Sequence, residues 1–220
     1  MKKFILTALI TLLIGAGCAG LGFSNVNSDL YKNMVNASVM ISNDSGYGSG
    51  VFIDDDVILT AAHCLKGHPN LVVELTDGTI LEVNDIYIDD EEDVGFVFIK
   101  ANELSIAKIS IISGDVGDIV YLVGAPYDRR MKFTITKGIL SHLDRDAFRW
   151  EDLLQTDAES GPGSSGGPLY DSKGNVIGIC VANPSRTRGG GVSLCENADS
   201  ILEAYERCME LRNVSNEKKI

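Results

Sequence analysis

The chain has 220 residues, 45% of them hydrophobic, and its 31 acidic and 19 basic residues give a formal net charge of −12. That charge excludes electrostatic binding to nucleic acid or to an anionic membrane surface, because both would repel the chain. The 23 glycines, the many short apolar runs and the few helical patterns indicate a β-rich architecture with tight turns.

The first 20 residues are typical of an export signal. Two lysines precede an apolar stretch from Phe4 to Ile14, which is too short for a comfortable membrane span, and small residues follow. Gly15-Ala16-Gly17-Cys18 is similar to a bacterial lipoprotein processing site, which would make a lipidated Cys18 the mature N-terminus. Cleavage near Ala19, or retention as an anchor, is the alternative. We expect an exported protein, periplasmic or extracellular, that is tethered to a membrane if Cys18 is lipidated.

Four further cysteines lie in the rest of the chain, at Cys64, Cys180, Cys195 and Cys208. In an exported protein they can form bridges in any of three pairings, or none, or they can be small buried hydrophobes. None has the paired spacing of a zinc site, and the acidic run 54–56 lacks the spacing of a calcium loop. The sequence therefore predicts no metal and no cofactor.

Two series of β-strands are predicted after a short linker at 21–28. The first series contains 38–42, 50–54, 57–60, 71–75, 79–88 and 94–99, with a hairpin turn at Asp77-Gly78. The second contains 118–123, 131–142, 152–156, 167–170, 176–182 and 191–194, and Met131, Phe133 and Ile135 alternate with polar residues there. The two series predict two closed units of similar size.

The spacing of apolar residues changes to a helical period between 197 and 212. Apolar side chains fall on one stripe, and either Asn197 or Ser200 with Glu203 supplies the N-terminal cap. The predicted fold class is all-β, with two six-stranded antiparallel barrels and a C-terminal α-helix. The predicted organisation is an export signal at 1–20, barrels at 29–110 and 111–195, a helix at 196–212 and a polar tail at 213–220.

Three segments carry the groups that peptide hydrolysis requires. His63 follows the run 57–60 on a turn of small residues, and a histidine can take a proton from a hydroxyl near neutral pH. Asp93 begins the apolar run 94–99, where its carboxylate can orient the imidazole. Ser165 lies in a glycine-rich turn, and the backbone N–H groups of Gly163 and Ser165 are the expected oxyanion hole.

Each of these residues also has a less specific interpretation. A lone histidine is more often structural, a lone Gly-Ser-Gly stretch is usually a turn, and the acidic run before Asp93 is typical of a solvated loop. The joint occurrence favours a triad of His63, Asp93 and Ser165, and the apolar strand after Asp93 selects it from its acidic neighbours. His68 and His142 have no comparable context and are interpreted as surface residues.

These segments resemble the trypsin/chymotrypsin family of serine proteases, particularly its bacterial HtrA-like branch. The order His, Asp, Ser is the family's own, and the resemblance covers about residues 37 to 194. It implies two chymotrypsin-like barrels and serine endopeptidase activity. The supporting stretches are Gly48-Ser49-Gly50-Val51-Phe52-Ile53, Thr60-Ala61-Ala62-His63-Cys64, Val123-Gly124-Ala125-Pro126, Lys137-Gly138-Ile139-Leu140-Ser141, Leu154-Gln155-Thr156-Asp157-Ala158, Gly166-Gly167-Pro168-Leu169 and Val176-Ile177-Gly178-Ile179.

The resemblance also implies a pocket for the side chain that precedes the scissile bond. Glu159, six residues before Ser165, matches the floor of that pocket, and Val181 and Gly191 match its wall. A buried carboxylate at the floor would select Lys or Arg by ion pairing. The alternative is that Glu159 points to solvent.

Three departures limit what the resemblance implies. Ser164 stands where trypsin-like zymogens carry an aspartate, so activation by an ion pair with a new N-terminus is not expected. Gly48 stands where trypsin has the partner of the cysteine after the histidine, so Cys64 is expected to lack that bridge. We expect no peptide-binding domain of the kind that follows HtrA-like proteases, and the oligomeric state stays open.

Three functional hypotheses remain. The first is an active serine endopeptidase that acts on peptides or unfolded proteins. The second is a catalytically silent binding module on a protease scaffold, and the third is an esterase that uses the same nucleophile. The intact set of His63, Asp93 and Ser165 favours the first.

Overall fold

A computed structural model describes residues 26–67, 70–101, 105–111, 114–184 and 191–217. The predicted export signal at 1–20, with Cys18, lies outside these residues. The described part forms two β units flanked by two helices. The helices are α1 (Val26–Ala37) and α2 (Ala198–Glu217), and the strands are β1 (Ser38–Ser42), β2 (Tyr47–Asp54), β3 (Val57–Ala61), β4 (Val72–Glu74), β5 (Ile80–Glu82), β6 (Asp85–Asp89), β7 (Val94–Phe98), β8 (Ile119–Gly124), β9 (Thr134–Ala147), β10 (Trp150–Thr156), β11 (Pro168–Tyr170), β12 (Val176–Ala182) and β13 (Ser193–Asn197).

The first unit is an antiparallel sheet of seven strands in the order β5-β4-β1-β2-β3-β7-β6. The predicted β fold class holds, but this unit is a half-barrel sheet of seven strands rather than a closed unit of six, and the run 79–88 supplies two of its strands. β5 pairs with β4 at one end of the sheet, whereas β6 pairs with β7 at the other end. A continuous alternation of side chains cannot reveal that the chain crosses from one edge to the other within this run.

The second unit is a closed antiparallel barrel of six strands in the order β10-β13-β12-β11-β8-β9. All six segments of the second predicted series form strands, as the alternation of apolar residues indicated. The bounds differ most at β9, which begins only at Thr134 because Arg129–Met131 forms a turn of 3₁₀ helix and Phe133 has a φ of 62°.

Helix α2 confirms the predicted C-terminal helix and extends beyond Arg212 to Glu217. The side chain of Asn197 accepts a hydrogen bond from the N–H of Ser200 at 3.0 Å, which identifies Asn197 as the cap. The buried side chains of Ile201, Ala204 and Cys208 form the stripe that packs on the β units. No helix among the described residues is long and apolar enough to cross a membrane.

Helix α1 was not predicted, because 21–28 was interpreted as a linker. Its apolar side chains nevertheless recur at Leu30, Tyr31, Met34 and Ala37, which is a helical spacing. Met34 is buried, and its carbonyl accepts hydrogen bonds from the hydroxyl groups of Ser38 at 2.8 Å and Tyr170 at 3.0 Å. These bonds join the helix to the first unit and to the barrel.

The two β units share one apolar core. Leu59 and Phe96 of the first unit and Val123 and Ile179 of the barrel belong to the same cluster of buried side chains. Burial of apolar area at this junction contributes roughly 25 cal/mol per Å² and fixes the units against each other. Residues at the ends of β3, β7 and β12 therefore meet at a rigid junction.

Candidate active site

His63 lies in a turn of 3₁₀ helix, Ala62–Cys64, directly after β3. Asp93 immediately precedes β7, which is the neighbour of β3, so the sheet itself brings the two residues together. One carboxylate oxygen of Asp93, Oδ2, lies 2.7 Å from Nδ1 of His63, and Oδ1 accepts the backbone N–H of His63 at 2.9 Å. Both oxygens of this fully buried carboxylate therefore position a single histidine.

The carboxylate also sets the protonation of the imidazole. Burial of the ring disfavours its charged form, but the hydrogen bond to Asp93, together with contributions from Cys64, outweighs burial and raises the pKa of His63 above its ordinary value of 6.5. With Nδ1 bonded to Asp93, the other ring nitrogen is left to exchange a proton with a nucleophile.

A second buried carboxyl group lies in the electrostatic field of this pair. Glu196 on β13 is fully buried, and neither of its oxygens has a hydrogen-bond partner among the described residues. Burial, together with the charges of Glu92 and Asp93, raises the pKa of Glu196 to about 8. The raised pKa of Glu196 favours its neutral form at pH 7, which reduces the negative charge near Asp93.

Ser165 lies in a tight turn that joins β10 to β11. The N–H of Ser164 donates to the carbonyl of Gly161 at 2.8 Å, and the N–H of Gly167 donates to the carbonyl of Ser164 at 2.9 Å. In the described part of the chain, the N–H groups of Gly163 and Ser165 have no acceptor. Two unpaired N–H groups in one tight turn can stabilise an oxyanion if both point at the same oxygen.

Gly163 has a φ of 98°, a conformation that glycine adopts without strain. A Cβ atom at this position would lie 2.2 Å from the ring of Tyr47 and 2.3 Å from the carbonyl oxygen of Ala125. Both backbone conformation and space therefore require glycine here.

Ser49 on β2 holds this turn from the first unit. Its hydroxyl donates to the carbonyl of Gly163 at 2.8 Å and accepts the N–H of Ala125 at 3.1 Å, and its own N–H donates to the carbonyl of Ser165 at 2.8 Å. These bonds hold the carbonyl groups of Gly163 and Ser165, the two residues whose N–H groups are unpaired. This role of Ser49 was not predicted, although Ser49 lies in the stretch Gly48-Ser49-Gly50-Val51-Phe52-Ile53.

His63 and Ser165 line one cleft of about 660 Å³ at the junction of the two units. No hydrogen bond joins their side chains among the contacts of the described residues; in enzymes without substrate this bond is often long and tightens on binding. Tyr47, Leu71 and the exposed Phe148 at the β9–β10 turn line the same cleft.

Ser160 lines the cleft, and uncharged groups of Ala158, Asn183 and Ser193 hold it in place by hydrogen bonds. Asn183 Nδ2 donates to the carbonyl of Ser160 at 2.8 Å, and the hydroxyl groups of Ser160 and Ser193 lie 2.7 Å apart. The hydroxyl of Ser193 also donates to the carbonyl of Ala158 at 2.7 Å. The described residues that line the cleft carry no carboxylate and no basic group other than His63.

The three expected pocket residues have different positions. Val181 lines the cleft, whereas Gly191 is exposed and is not among the described lining residues. Glu159 is also exposed and outside the lining, where its carboxylate accepts the hydroxyl of Tyr127 at 3.3 Å. Glu159 therefore lies outside the described lining of the cleft, in line with the alternative that it points to solvent, whereas the next residue, Ser160, lines the cleft.

The four cysteines outside the signal segment are free thiols. Cys64 lies against Gly48, and a Cβ atom on Gly48 would be 2.6 Å from its Sγ atom. Cys64 therefore forms no disulfide at the position where trypsin has one, because Gly48 has no side chain to bond with it. The thiol of Cys64 instead occupies the space beside Gly48 and donates to the carbonyl of Ser165 at 3.5 Å.

Residues 48–179 match the family described as the trypsin-like peptidase domain. The chain belongs to this family. It is 31% identical over 169 residues to serine endoprotease DegS of Haemophilus influenzae, covering 72% of this chain and 49% of that protein. It is 33% identical over 174 residues to a probable periplasmic serine endoprotease, DegP-like, of Halomonas elongata, covering 76% of this chain and 35% of that protein.

Solved structures of HtrA-type proteases share the fold. The HtrA-type protease AlgW with a tripeptide has a TM-score of 0.70 at 30% identity, covering 79% of this chain and 61% of that chain. A serine endoprotease from Yersinia pestis has a TM-score of 0.71 at 28% identity, covering 80% of this chain and 65% of that chain. The chain spans about half or less of the length of the curated relatives named above. The resemblance to the HtrA-like branch is thereby confirmed.

We expect Gly163→Ala to lower kcat by about 10²–10³, which is the usual cost of losing one oxyanion donor. The added methyl group would displace the turn from Tyr47 and Ala125. Gly117→Ala is the matched control, since Gly117 has a φ of 99° and open space around its Cβ position. Steady-state kinetics on one peptide substrate measures both variants, and equal losses of kcat in the two would contradict the assignment of the oxyanion hole.

Proposed function

We propose that this chain is a serine endopeptidase in which Ser165 is the nucleophile, His63 the general base and Asp93 the orienting carboxylate. The observation that carries the proposal is the buried Asp93–His63 pair at 2.7 Å, which lies in the same cleft as Ser165 and its two unpaired N–H groups. The names of the relatives, all serine proteases, support it.

The reaction follows from the position of each group. Ser165 Oγ attacks the carbonyl carbon of the scissile bond while Nε2 of His63 takes its proton. The charge on the carbonyl oxygen is stabilised by the N–H groups of Gly163 and Ser165. The imidazolium, held by Asp93, then protonates the leaving amine, and water hydrolyses the acyl-enzyme by the same steps.

The cleft favours a peptide with an uncharged side chain before the scissile bond. Ser160, Val181 and Cys180 line this part of the cleft, and none of them can pair with a Lys or Arg side chain. An unpaired charge in such a site costs more than the burial of the side chain returns. Solved relatives with a bound tripeptide or decapeptide support an extended peptide as the ligand.

The proposed location is outside the cytoplasm. Several relatives carry the name of periplasmic proteases, and residues 1–20 have the pattern of an export signal. We include lipidation of Cys18 in the proposal on the basis of the Gly15-Ala16-Gly17-Cys18 pattern.

Incubation with an unfolded protein and, separately, with an activated ester tests the proposal. We expect fragments from the unfolded protein with wild type and with His142→Ala, but none with His63→Ala, because His142 pairs with Asp144 at the surface and does not line the cleft as described. Ester hydrolysis without fragments would favour the esterase, and neither activity together with peptide binding would favour the silent module.

Cleavage-site profiling tests the nature of the pocket. We expect neutral residues before the scissile bond and the same profile for wild type and Glu159→Ala, since Glu159 bonds to Tyr127 outside the cleft. A preference for Lys or Arg that disappears in Glu159→Ala would contradict this description of the pocket.

A further inference from the structure

Two free cysteines face each other across β12 and β13, at the wall of the cleft. Cys180 and Cys195 are direct partners in the antiparallel register, so their side chains emerge on the same face of the barrel. Both are buried, with exposed fractions of 3% and 0%, and both belong to the same apolar cluster.

The backbone hydrogen bonds of Cys180 show that Cys180 and Cys195 are an antiparallel pair without backbone hydrogen bonds between them. The N–H of Cys180 donates to the carbonyl of Gly167 at 2.9 Å, and its carbonyl accepts the N–H of Gly166 at 2.7 Å, so neither group bonds to Cys195. Antiparallel partners that exchange no backbone hydrogen bonds have Cα atoms about 4.5 Å apart. Disulfides span Cα separations of about 4.4–6.8 Å, so a bridge between these residues needs no movement of either strand.

The two thiols differ in access and in reactivity. Cys180 lines the cleft, whereas Cys195 lies behind it and is fully buried. The thiol contact lowers the pKa of Cys180, and the same contact, together with burial, raises the pKa of Cys195. Cys180 is therefore the thiol that a reagent in the cleft meets first and the one that ionises first.

We propose that Cys180 and Cys195 form a redox modification site that closes reversibly into a disulfide beneath the cleft. The oxidant is a disulfide donor, either a small-molecule disulfide or the active-site disulfide of a thiol oxidoreductase, as an oxidising compartment supplies. The proposal does not depend on the proposed peptidase activity.

The exchange proceeds in two steps. The thiolate of Cys180 attacks one sulfur of the donor, which forms a mixed disulfide and releases the other donor sulfur as a thiol once it is protonated. The thiolate of Cys195 then attacks Sγ of Cys180, and the second donor thiol leaves. In total, the two protein thiols lose two electrons and two protons and become one disulfide. The donor disulfide gains these electrons and protons and becomes two thiols.

The bridge would connect the strand that contacts the nucleophile turn to its neighbour. Cys180 bonds to Gly166 and Gly167, which follow Ser165 directly, so a fixed Cys180 restrains this part of the cleft wall. We expect the oxidised protein to melt roughly 5–10 °C above the reduced protein, because a native bridge restricts the unfolded chain.

Mass spectrometry of the full chain tests the proposal without any catalytic readout, so the Ser165→Ala variant can be used alongside wild type. The protein is incubated with oxidised glutathione, blocked with an alkylating reagent under denaturing conditions and digested. We expect a linked peptide that contains Cys180 and Cys195, its loss after treatment with dithiothreitol, and a rise in Tm on oxidation.

The other cysteines supply the controls. Cys208→Ser should form the same link, since Cys208 lies on α2 away from the pair, whereas Cys180→Ser and Cys195→Ser should show no redox-dependent change in Tm. Alkylation of both Cys180 and Cys195 after oxidation, a persistent glutathione adduct on Cys180 alone, or a link to Cys64 would overturn the proposal.

Discussion

Ser165→Ala is expected to lower kcat by about 10⁶, because the variant lacks the only atom that can form the acyl-enzyme. A residual rate above that of water should remain, since the N–H groups of Gly163 and residue 165 do not depend on the hydroxyl. The side chain is half-buried at the cleft, so the fold and the peptide affinity should change little.

Kinetics on a chromogenic peptide, together with a peptide-binding measurement, tests this prediction. Ser172→Ala is the control, because Ser172 is an exposed serine in the turn after β11 and should retain wild-type kcat. Activity of Ser165→Ala within tenfold of wild type would show that another group is the nucleophile.

Asp93→Asn is expected to lower kcat by about 10⁴, because the amide cannot hold Nδ1–H of His63 in the tautomer that makes Nε2 a base. The substitution should also move the pH dependence. A base must be unprotonated, so kcat/KM of the wild type should rise with pH through the pKa of His63, which lies above 6.5. Removal of the carboxylate lowers this pKa, and the rising limb should move to lower pH.

The Asp89→Asn variant distinguishes the catalytic effect of removing the Asp93 carboxylate from a general loss of stability. Asp89 is a nearby buried carboxylate, but it bonds to Nε of Arg207 on α2 at 2.9 Å and not to His63. We expect Asp89→Asn to lower Tm while kcat and the pH limb stay as in wild type. A pH limb that is the same in wild type and in Asp93→Asn would contradict the assigned role of Asp93.

The positions of His63 and Asp93 could be predicted because the relevant signals are local. Each residue adjoins a run of buried apolar residues, and adjacent strands then place both at one end of the sheet. The alternation of apolar side chains predicted the six strands of the barrel for the same reason. The positive φ and the close packing of the Ser165 turn likewise require glycine, and its glycines are visible in the sequence.

Helix α1 was missed although its spacing is local, but three other missed features depend on contacts between distant segments. The division of 79–88 into β5 and β6 is decided by which strand each half pairs with, and Glu159 lies outside the described cleft lining, where it accepts a hydrogen bond from Tyr127, 32 residues away. The role of Ser49 depends on Gly163, which lies 114 residues further along the chain. No local pattern of residue types contains this information.

Labelling with a fluorophosphonate probe tests the central claim most directly, namely that His63 and Asp93 activate Ser165 in the junction cleft. We predict a single adduct on Ser165 in the wild type, located by peptide mapping, and at least a hundredfold slower labelling of His63→Ala, since general-base assistance is typically worth about 10²–10⁴. His142→Ala should react at the wild-type rate. An adduct on Ser164 or elsewhere, or equal labelling of wild type and His63→Ala, would contradict the account.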